Sequence, residues 1–292
     1  MTGQSTAASI TAPDGARTPW PAPPAEQLRL IRRGRPRKRW RYVALFNDEL
    51  ALCAALVQIG PARQSFWALH DRRTGELRGR TRLLPRAGEL ELEAAPAAGA
   101  SGRLRVEDLG VHLDVELEEV AGVEALCPHG RAHVWTRKQA GVEAAGTISI
   151  DGGPPRELSA RAVIDDTAGH HARRTEWRWS AGVGTASDGR ALAWNLVSGV
   201  NDPESGSERA IWIDGQPSEP APVAFAADLS SVRFAGGAEL RFRAEAERSR
   251  HDRLLLVESE YRAPFGSFAG QLPGGIALAR GAGVMEHHRA RW

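Results

Sequence analysis

Apolar and polar side chains alternate one for one along several segments of this chain, and that rhythm commits them to extended structure. Trp40, Tyr42, Ala44 and Phe46 share one face of a strand, with Arg41, Val43 and Leu45 on the other. Val111, Leu113, Val115 and Leu117 alternate with His112, Asp114 and Glu116, the pattern of a strand with one wet face. Leu240, Phe242, Ala244 and Ala246 alternate in the same way with Arg241, Arg243, Glu245 and Glu247. A helix would need apolar spacings of three and four, which these segments do not supply.

Turn chemistry agrees. Asp-Gly pairs tolerate the positive φ of two-residue hairpin connections. Asp151-Gly152 follows Thr147 to Ile150, Asp188-Gly189 precedes Arg190 to Val197, and Asp214-Gly215 follows Ala210 to Ile213. With 31 Gly and 18 Pro and few helix-length amphipathic stretches, the chain is expected to be all-β, its antiparallel strands closed into barrels or stacked as sheets. No internal repeat is convincing.

At ~150 residues per domain, 292 residues make two domains or one large β-structure. Residues 1–35 hold Pro13, Pro19, Pro21, Pro23 and Pro24 among small polar residues and read as a disordered tail. A break within Asp165 to Arg174 divides the rest into an N-terminal β-barrel-like domain, 36–165, and a C-terminal one, 166–292. Glu118 to Arg131 reads as a loop. The first fifteen residues lack the basic start and apolar stretch of a secretory leader, which points to a cytoplasmic protein. Leu50 to Gly60 is about half the ~20 residues a membrane helix needs and reads as a buried strand. Cys53 and Cys127 read as reduced core residues.

The formal net charge of +2 is too near neutrality to argue for a polyanion partner. Nearly all positive charge is Arg, with lysine only at Lys38 and Lys138, an imbalance that reads as coding bias. Arg32, Arg33, Arg35, Arg37, Lys38, Arg39 and Arg41 crowd ten positions, and Arg33-Gly34-Arg35-Pro36 spells the core of an AT-hook, an extended reader of a narrow minor groove. A charged lead-in to the first strand explains the same run, so nucleic acid is not the expected partner.

The densest polar and aromatic cluster runs from Asp165-Asp166 through His170-His171 to Glu176-Trp177-Arg178-Trp179. In a strand, Trp177 and Trp179 point to one side and Glu176 and Arg178 to the other, while Asp165 and Asp166 diverge, so only one of the two aspartates can face a pocket. A carboxyl group held among tryptophans stays protonated nearer neutrality and can serve as an acid, and indole faces steady a developing cation. Asp165, Asp166, His171 and Glu176 are therefore the candidate acid–base groups. The competing reading has Asp165 or Asp166 capping turn backbone and the indoles filling the core. Trp194, Asn195, Asn201, Glu208 and Trp212 place further polar groups beside large rings and, with Tyr261, complete the candidate ligand contacts; Asn201-Asp202-Pro203 also reads as a turn and Asn195 as an ordinary buried amide.

Cys127, His129 and His133 offer thiolate and imidazole, and His170-His171 or Glu286-His287-His288 would have to complete a metal site in space. No CxxC or HExxH pattern supports it, and no metal is expected. The absence of a Walker loop, a dinucleotide fingerprint and a GxSxG elbow leaves no expected cofactor.

The strings KRWRYVALF (38–46), IGPARQSFWAL, VWTRKQAGV, IDDTAGHH, WRWSAGVG, WNLVSGVND, YRAPFGSFAGQLPGG and GVMEHH, taken in order, resemble the largely actinobacterial family DUF2804 from about Pro36 to Trp292. His170 departs from the pattern, which has an aromatic residue there. More distantly, the succession of a Trp-bearing strand, a Gly turn and a second Trp strand (Trp177 to Val197) resembles the carotenoid hydratase and AttH-like group. That resemblance implies paired lipocalin-like barrels, and chemistry such as hydration of isoprenoid double bonds or cyclisation of polyketide chains.

Together these readings lead to a β-barrel cavity for a hydrophobic small molecule, isoprenoid-, lipid- or polyketide-like, lined by Trp177, Trp179, Trp194 and Trp212. Asp166 or His171 would donate or relay a proton in a cofactor-free hydration, isomerisation or cyclisation. A non-catalytic carrier of the same ligands is the alternative.

Overall fold

The computed structural model describes residues 10–11, 29–129, 132–254 and 257–291, so most of the expected tail, 1–9 and 12–28, lies outside the described residues. In chain order the first half holds β1 (Ile10–Thr11), β2 (Ile31–Arg32), β3 (Arg35–Pro36), β4 (Lys38–Phe46), β5 (Leu50–Ile59), β6 (Ala62–Asp71), β7 (Leu77–Arg82), β8 (Leu90–Glu93), β9 (Ser101–Asp108), β10 (Val111–Glu118), β11 (Val123–His129), β12 (Ala132–Ile150) and β13 (Arg156–Gly169). The second half holds β14 (Arg174–Ala186), β15 (Ala191–Ser198), β16 (Ala210–Ile213), β17 (Gln216–Ser218), β18 (Ala224–Phe225), β19 (Ser231–Arg233), β20 (Glu239–Leu254), β21 (Val257–Leu272) and β22 (Ile276–Arg291). A single 3-10 turn, Pro273–Gly275, is the one helical element among the described residues, and no helix is long and apolar enough to cross a membrane.

The strands form two strongly curled antiparallel sheets, consistent with two lipocalin-like domains. The first runs β7-β6-β5-β4-β13-β12-β10-β9-β8, with β11 also paired to β12; the second runs β17-β16-β15-β14-β22-β21-β20-β19-β18. The chain passes from one sheet to the other between Gly169 and Arg174. All three Asp-Gly pairs sit in hairpin connections. Asp151-Gly152 and Asp214-Gly215 have positive φ at both residues, whereas at Asp188-Gly189 only the glycine does.

Two expectations change. The segment read as a loop, Glu118 to Arg131, contains β11, which gains its hydrogen bonds from β12; Pro128, which has no N–H to donate, lies opposite His133 in this pairing. Within the stretch read as tail, Ile10–Thr11 pairs with Val123–Glu124, and Ile31–Arg32 folds back on Arg35–Pro36 through Arg33 and Gly34, both in the left-handed region. The Arg33-Gly34-Arg35-Pro36 motif is thus a tight hairpin and not the extended segment a minor groove would take.

On its edge away from β13, β12 serves two partners, pairing with β11 along Ala132–Lys138 and with β10 along Ala144–Ile150. The change of partner coincides with a bulge at Gly141, whose φ of 77° glycine adopts without strain. Apolar packing separates into three clusters. One, with Leu52, Leu104, Leu113 and Ile148, is drawn wholly from the first sheet, and another, with Trp194, Leu240 and Phe268, from the second sheet and the loops beside it. The third joins Tyr42, Ala44 and Phe46 to Trp179, Trp212, Phe265 and Val284, so the two sheets are welded face to face. Fully burying each such large side chain contributes about 1.5–3 kcal/mol.

Candidate functional site

Strand register decides which side chains meet. In the first sheet Tyr42 lies opposite Asp165 and Ala55, Asp165 opposite Lys138, and Trp40 opposite Thr167 and Val57. Directly opposed residues of antiparallel strands share a face, so Trp40, Tyr42, Lys138, Asp165 and Thr167 all look toward the second sheet. There Trp177 lies opposite His288, His288 opposite Tyr261, and Trp179 opposite Glu286 and Val197. The facing surfaces do not close completely. They enclose a cavity of about 180 Å³, partly open to solvent, lined by these residues together with Lys38, Phe66, His171, Asn201, Glu208 and Arg248. A cavity near 150 Å³ is enough to hold benzene.

Rings form much of the wall. Tyr42 meets Trp179 edge-on with centroids 5.5 Å apart, Trp40 lies 5.3 Å from His171, and Trp177 lies 4.2 Å from His288. The Arg248 guanidinium covers Phe66 at 3.9 Å and Tyr261 at 4.9 Å, and its Nη2 donates to Thr81 Oγ1 at 3.0 Å.

Among these rings sit two sets of ionisable groups. Glu286 Oε1 accepts from Trp177 Nε1 at 2.7 Å, with Tyr261 as a second polar neighbour. Burial pushes the Glu286 carboxyl up to about 7, and the charge of Asp165 adds to the push, while the hydrogen bonds from Trp177 and Tyr261 oppose it. Burial also pushes the His288 imidazole down to about 3, helped by Lys38, so its ring is neutral at neutral pH; Ser259 Oγ lies 2.9 Å from its Nε2. The second set crosses from sheet to sheet. Lys138 Nζ lies 2.5 Å from Asp165 Oδ1 and 3.4 Å from Glu208 Oε1. Asp165 also accepts from Thr167 Oγ1 at 2.8 Å and from Trp40 Nε1 at 3.0 Å, and Asn201 Nδ2 donates to Glu208 Oε2 at 2.8 Å. Burial, followed by attraction to Lys138 and repulsion from Asp165, leaves the Glu208 carboxyl above its ordinary range.

The residues singled out from sequence fall into two groups. Asp165, His171, Trp177, Trp179, Asn201, Glu208 and Tyr261 come together around the cavity. Asn195 stands behind its wall, accepting from Trp179 Nε1 and donating to the Glu208 carbonyl, each at 2.8 Å. Asp166 lies on the opposite face of β13, where Arg41 and Arg137 occupy its carboxylate, and Arg41 in turn reaches Glu119. It does not line the cavity, because adjacent strand residues point to opposite faces and Asp165 has the inner one. By the same parity Glu176 is turned outward, half exposed, onto His287 and Arg289. Trp194 faces the interior of the second sheet, where Nε1 donates to Ser180 Oγ at 3.1 Å against the ring of Phe268. Trp212 packs between the sheets without reaching the cavity.

Lys38, Lys138 and Arg248 were not anticipated as site residues, and Glu286 and His288 only as groups that would complete a metal site. Glu286 and His288 alternate in GVMEHH as Trp177 and Trp179 do in EWRWS, which is the signal that would have grouped them. Among the described residues, no group of three or more His, Cys, Asp or Glu could hold a metal ion. Cys127 is buried beside the Gly206 carbonyl, and His129 Nδ1 accepts from the Ala172 N–H at 2.8 Å, so its proton sits on Nε2. Both cysteines are free and buried.

The model of a domain of unknown function, DUF2804, matches residues 103–292. No curated protein matches the chain by sequence. Several solved structures share the fold, among them the following two. A protein of Nitrosomonas europaea assigned as AttH superposes with a TM-score of 0.55 at 14% identity, over 91% of this chain and 98% of its own. Kievitone hydratase from Nectria haematococca superposes with a TM-score of 0.54 at 12% identity, over 86% of this chain and 88% of its own.

Proposed function

The chain belongs to the DUF2804 family, whose name carries no activity, and from that premise and the chemistry of the cavity we propose that it binds an apolar, ring- or alkene-bearing small molecule between its sheets and acts on it by acid–base catalysis. One observation carries the reading: a carboxyl group that titrates near neutrality, Glu286, is held by an indole N–H inside a wall of aromatic rings. An acid works best when its pKa lies near the working pH, and such a group contributes ~10²–10⁴-fold to rate.

In a hydration, Glu286 gives its proton to one alkene carbon and the cation forms on the other. The faces of Trp177 and Trp179 steady that cation, water attacks it, and the proton water sheds passes by way of neutral His288 to the Glu286 carboxylate, which restores the acid. Losing a neighbouring proton to the Glu286 carboxylate instead gives an isomer, and attack by a second double bond closes a ring and moves the cation, which then loses a proton to the same carboxylate. That a hydratase stands among the solved structures of this fold supports the first of these outcomes.

The test is to incubate the protein in D2O with aryl alkenes and prenylated phenols and to follow deuterium at carbon by mass spectrometry. Glu286→Gln should slow incorporation by ~10²-fold or more while leaving affinity within about threefold. Binding without incorporation in the wild type identifies a carrier, and failure of every apolar compound to bind overturns the reading.

A further inference from the structure

Lys38 and Lys138 are the only lysines among 38 strongly basic residues, and both line the cavity with 4% and 2% of their surface exposed. Arginine would supply positive charge there as well as it does everywhere else in the chain. What arginine cannot do is shed its proton and become a nucleophile. The cavity therefore holds every lysine amine this protein has.

The two amines are held in opposite ways. Lys138 is pinned by Asp165 and Glu208; burial works against its charge, but the two carboxylates prevail and keep it an ammonium, above the ordinary lysine range. Lys38 stands at the start of β4, on the same face as Trp40 and Tyr42, and lies opposite Gly169 and Ile59 in the sheet. Among the titratable groups around it are His129 of β11, His171 beyond β13 and His288 of β22, each of which feels its charge. Burial lowers all three imidazoles, so at neutral pH none of them opposes a neutral amine. Burial pushes Lys38 itself down to about 6, which makes most of it neutral amine at pH 7. Independently of any titration, His171 Nδ1 is buried beside the cavity with no hydrogen-bond partner among the described residues.

We propose that Lys38 captures a carbonyl: the cavity's ligand carries an aldehyde or ketone that condenses with Lys38 Nζ to form an imine. The inference rests on reading the cavity as a small-molecule site, and not on Glu286 acting as an acid. The Nζ lone pair attacks the carbonyl carbon, a C–N bond forms, and the carbonyl π electrons move to oxygen, which takes up one proton from nitrogen. The nitrogen lone pair then expels that hydroxyl. Both nitrogen protons and the carbonyl oxygen leave as one water, with neutral imidazole carrying protons from nitrogen to oxygen, and no oxidant or reductant is consumed. Protonation of the imine draws electrons toward nitrogen and acidifies the neighbouring C–H, which opens a route to double-bond migration.

Cinnamaldehyde with sodium cyanoborohydride tests this, because reduction fixes any imine as a permanent amine that peptide mapping locates. At pH 7 the wild-type chain should be alkylated at Lys38 at least ~100-fold faster than at Lys138. The rate should climb about tenfold per pH unit up to pH 6 and level off above it. Lys38→Met should abolish the adduct, and the wild-type chain should bind cinnamyl alcohol, which has no carbonyl to condense, as read by tryptophan fluorescence. Adducts confined to the N-terminal amine overturn the proposal, as does a Lys38 rate that keeps rising to pH 10 like that of an exposed lysine. If cinnamyl alcohol binds but Lys38 stays unmodified, carbonyl capture alone falls; if neither occurs, the cavity reading falls with it.

Discussion

Glu286→Gln should make the protein lose less stability between pH 4.5 and 8 than the wild type does. In the folded chain the Glu286 carboxyl titrates at about 7, against an ordinary value of 4.5, because burial among Trp177, Tyr261 and the cavity rings removes the water that would solvate its charge. Below pH 4.5 both folded and unfolded chains hold the proton and the group has no effect. Between the two values the unfolded chain gives the proton up and the folded chain keeps it, so stability falls as pH rises; above about 7 both are ionised and the penalty is complete. At ~1.4 kcal/mol per pH unit the whole effect is ~3 kcal/mol. Gln keeps an oxygen that accepts from Trp177 Nε1 and has no proton to lose. Urea unfolding of both chains from pH 4.5 to 8, followed by circular dichroism and tryptophan fluorescence together, gives the difference directly. The variant should gain ~3 kcal/mol on the wild type across that range, most of it below pH 7. A difference that stays flat within ~0.5 kcal/mol, or that runs the other way, refutes the argument that burial governs this carboxyl.

Two further substitutions separate the faces of the sheets. Asp166→Asn should cost ~3–5 kcal/mol in urea unfolding, since it leaves Arg41 and Arg137 poorly compensated in the interior; it should leave the affinity for cavity ligands within twofold, and a selective loss of affinity would contradict its placement. Trp177→Phe keeps a ring against His288 and removes the hydrogen bond that favours the Glu286 carboxylate, so the infrared carboxyl band of Glu286 should titrate higher than in the wild type. An unchanged or lower midpoint would show that the indole N–H does not bear on its charge.

Much of the architecture follows from local pattern. Alternation at Trp40 to Phe46 and at Val111 to Leu117 implies strands, because successive side chains of an extended chain must point to opposite faces. The same rule separates Asp165 from Asp166 and unites Trp177 with Trp179, and the Asp-Gly pairs mark hairpins because glycine and aspartate accept the backbone angles that tight turns impose. Alternation cannot say which face meets the other sheet when both faces are covered, as along β13, where Ala162, Val163 and Ile164 are all fully buried. The choice of Asp166 as the inward acid and of Trp194 as a lining ring was open for that reason, and the packing of one sheet on the other decided against both. Nor can local pattern supply a pKa. Glu286 owes its proton to burial and Lys138 its charge to Asp165 and Glu208; strand pairing brings Asp165 beside Lys138, while the joining of the two sheets supplies Glu208 and takes all of these groups out of water. Period two sorted the side chains into companies; the tertiary structure determined which companies faced each other, and with that the electrostatics of the site.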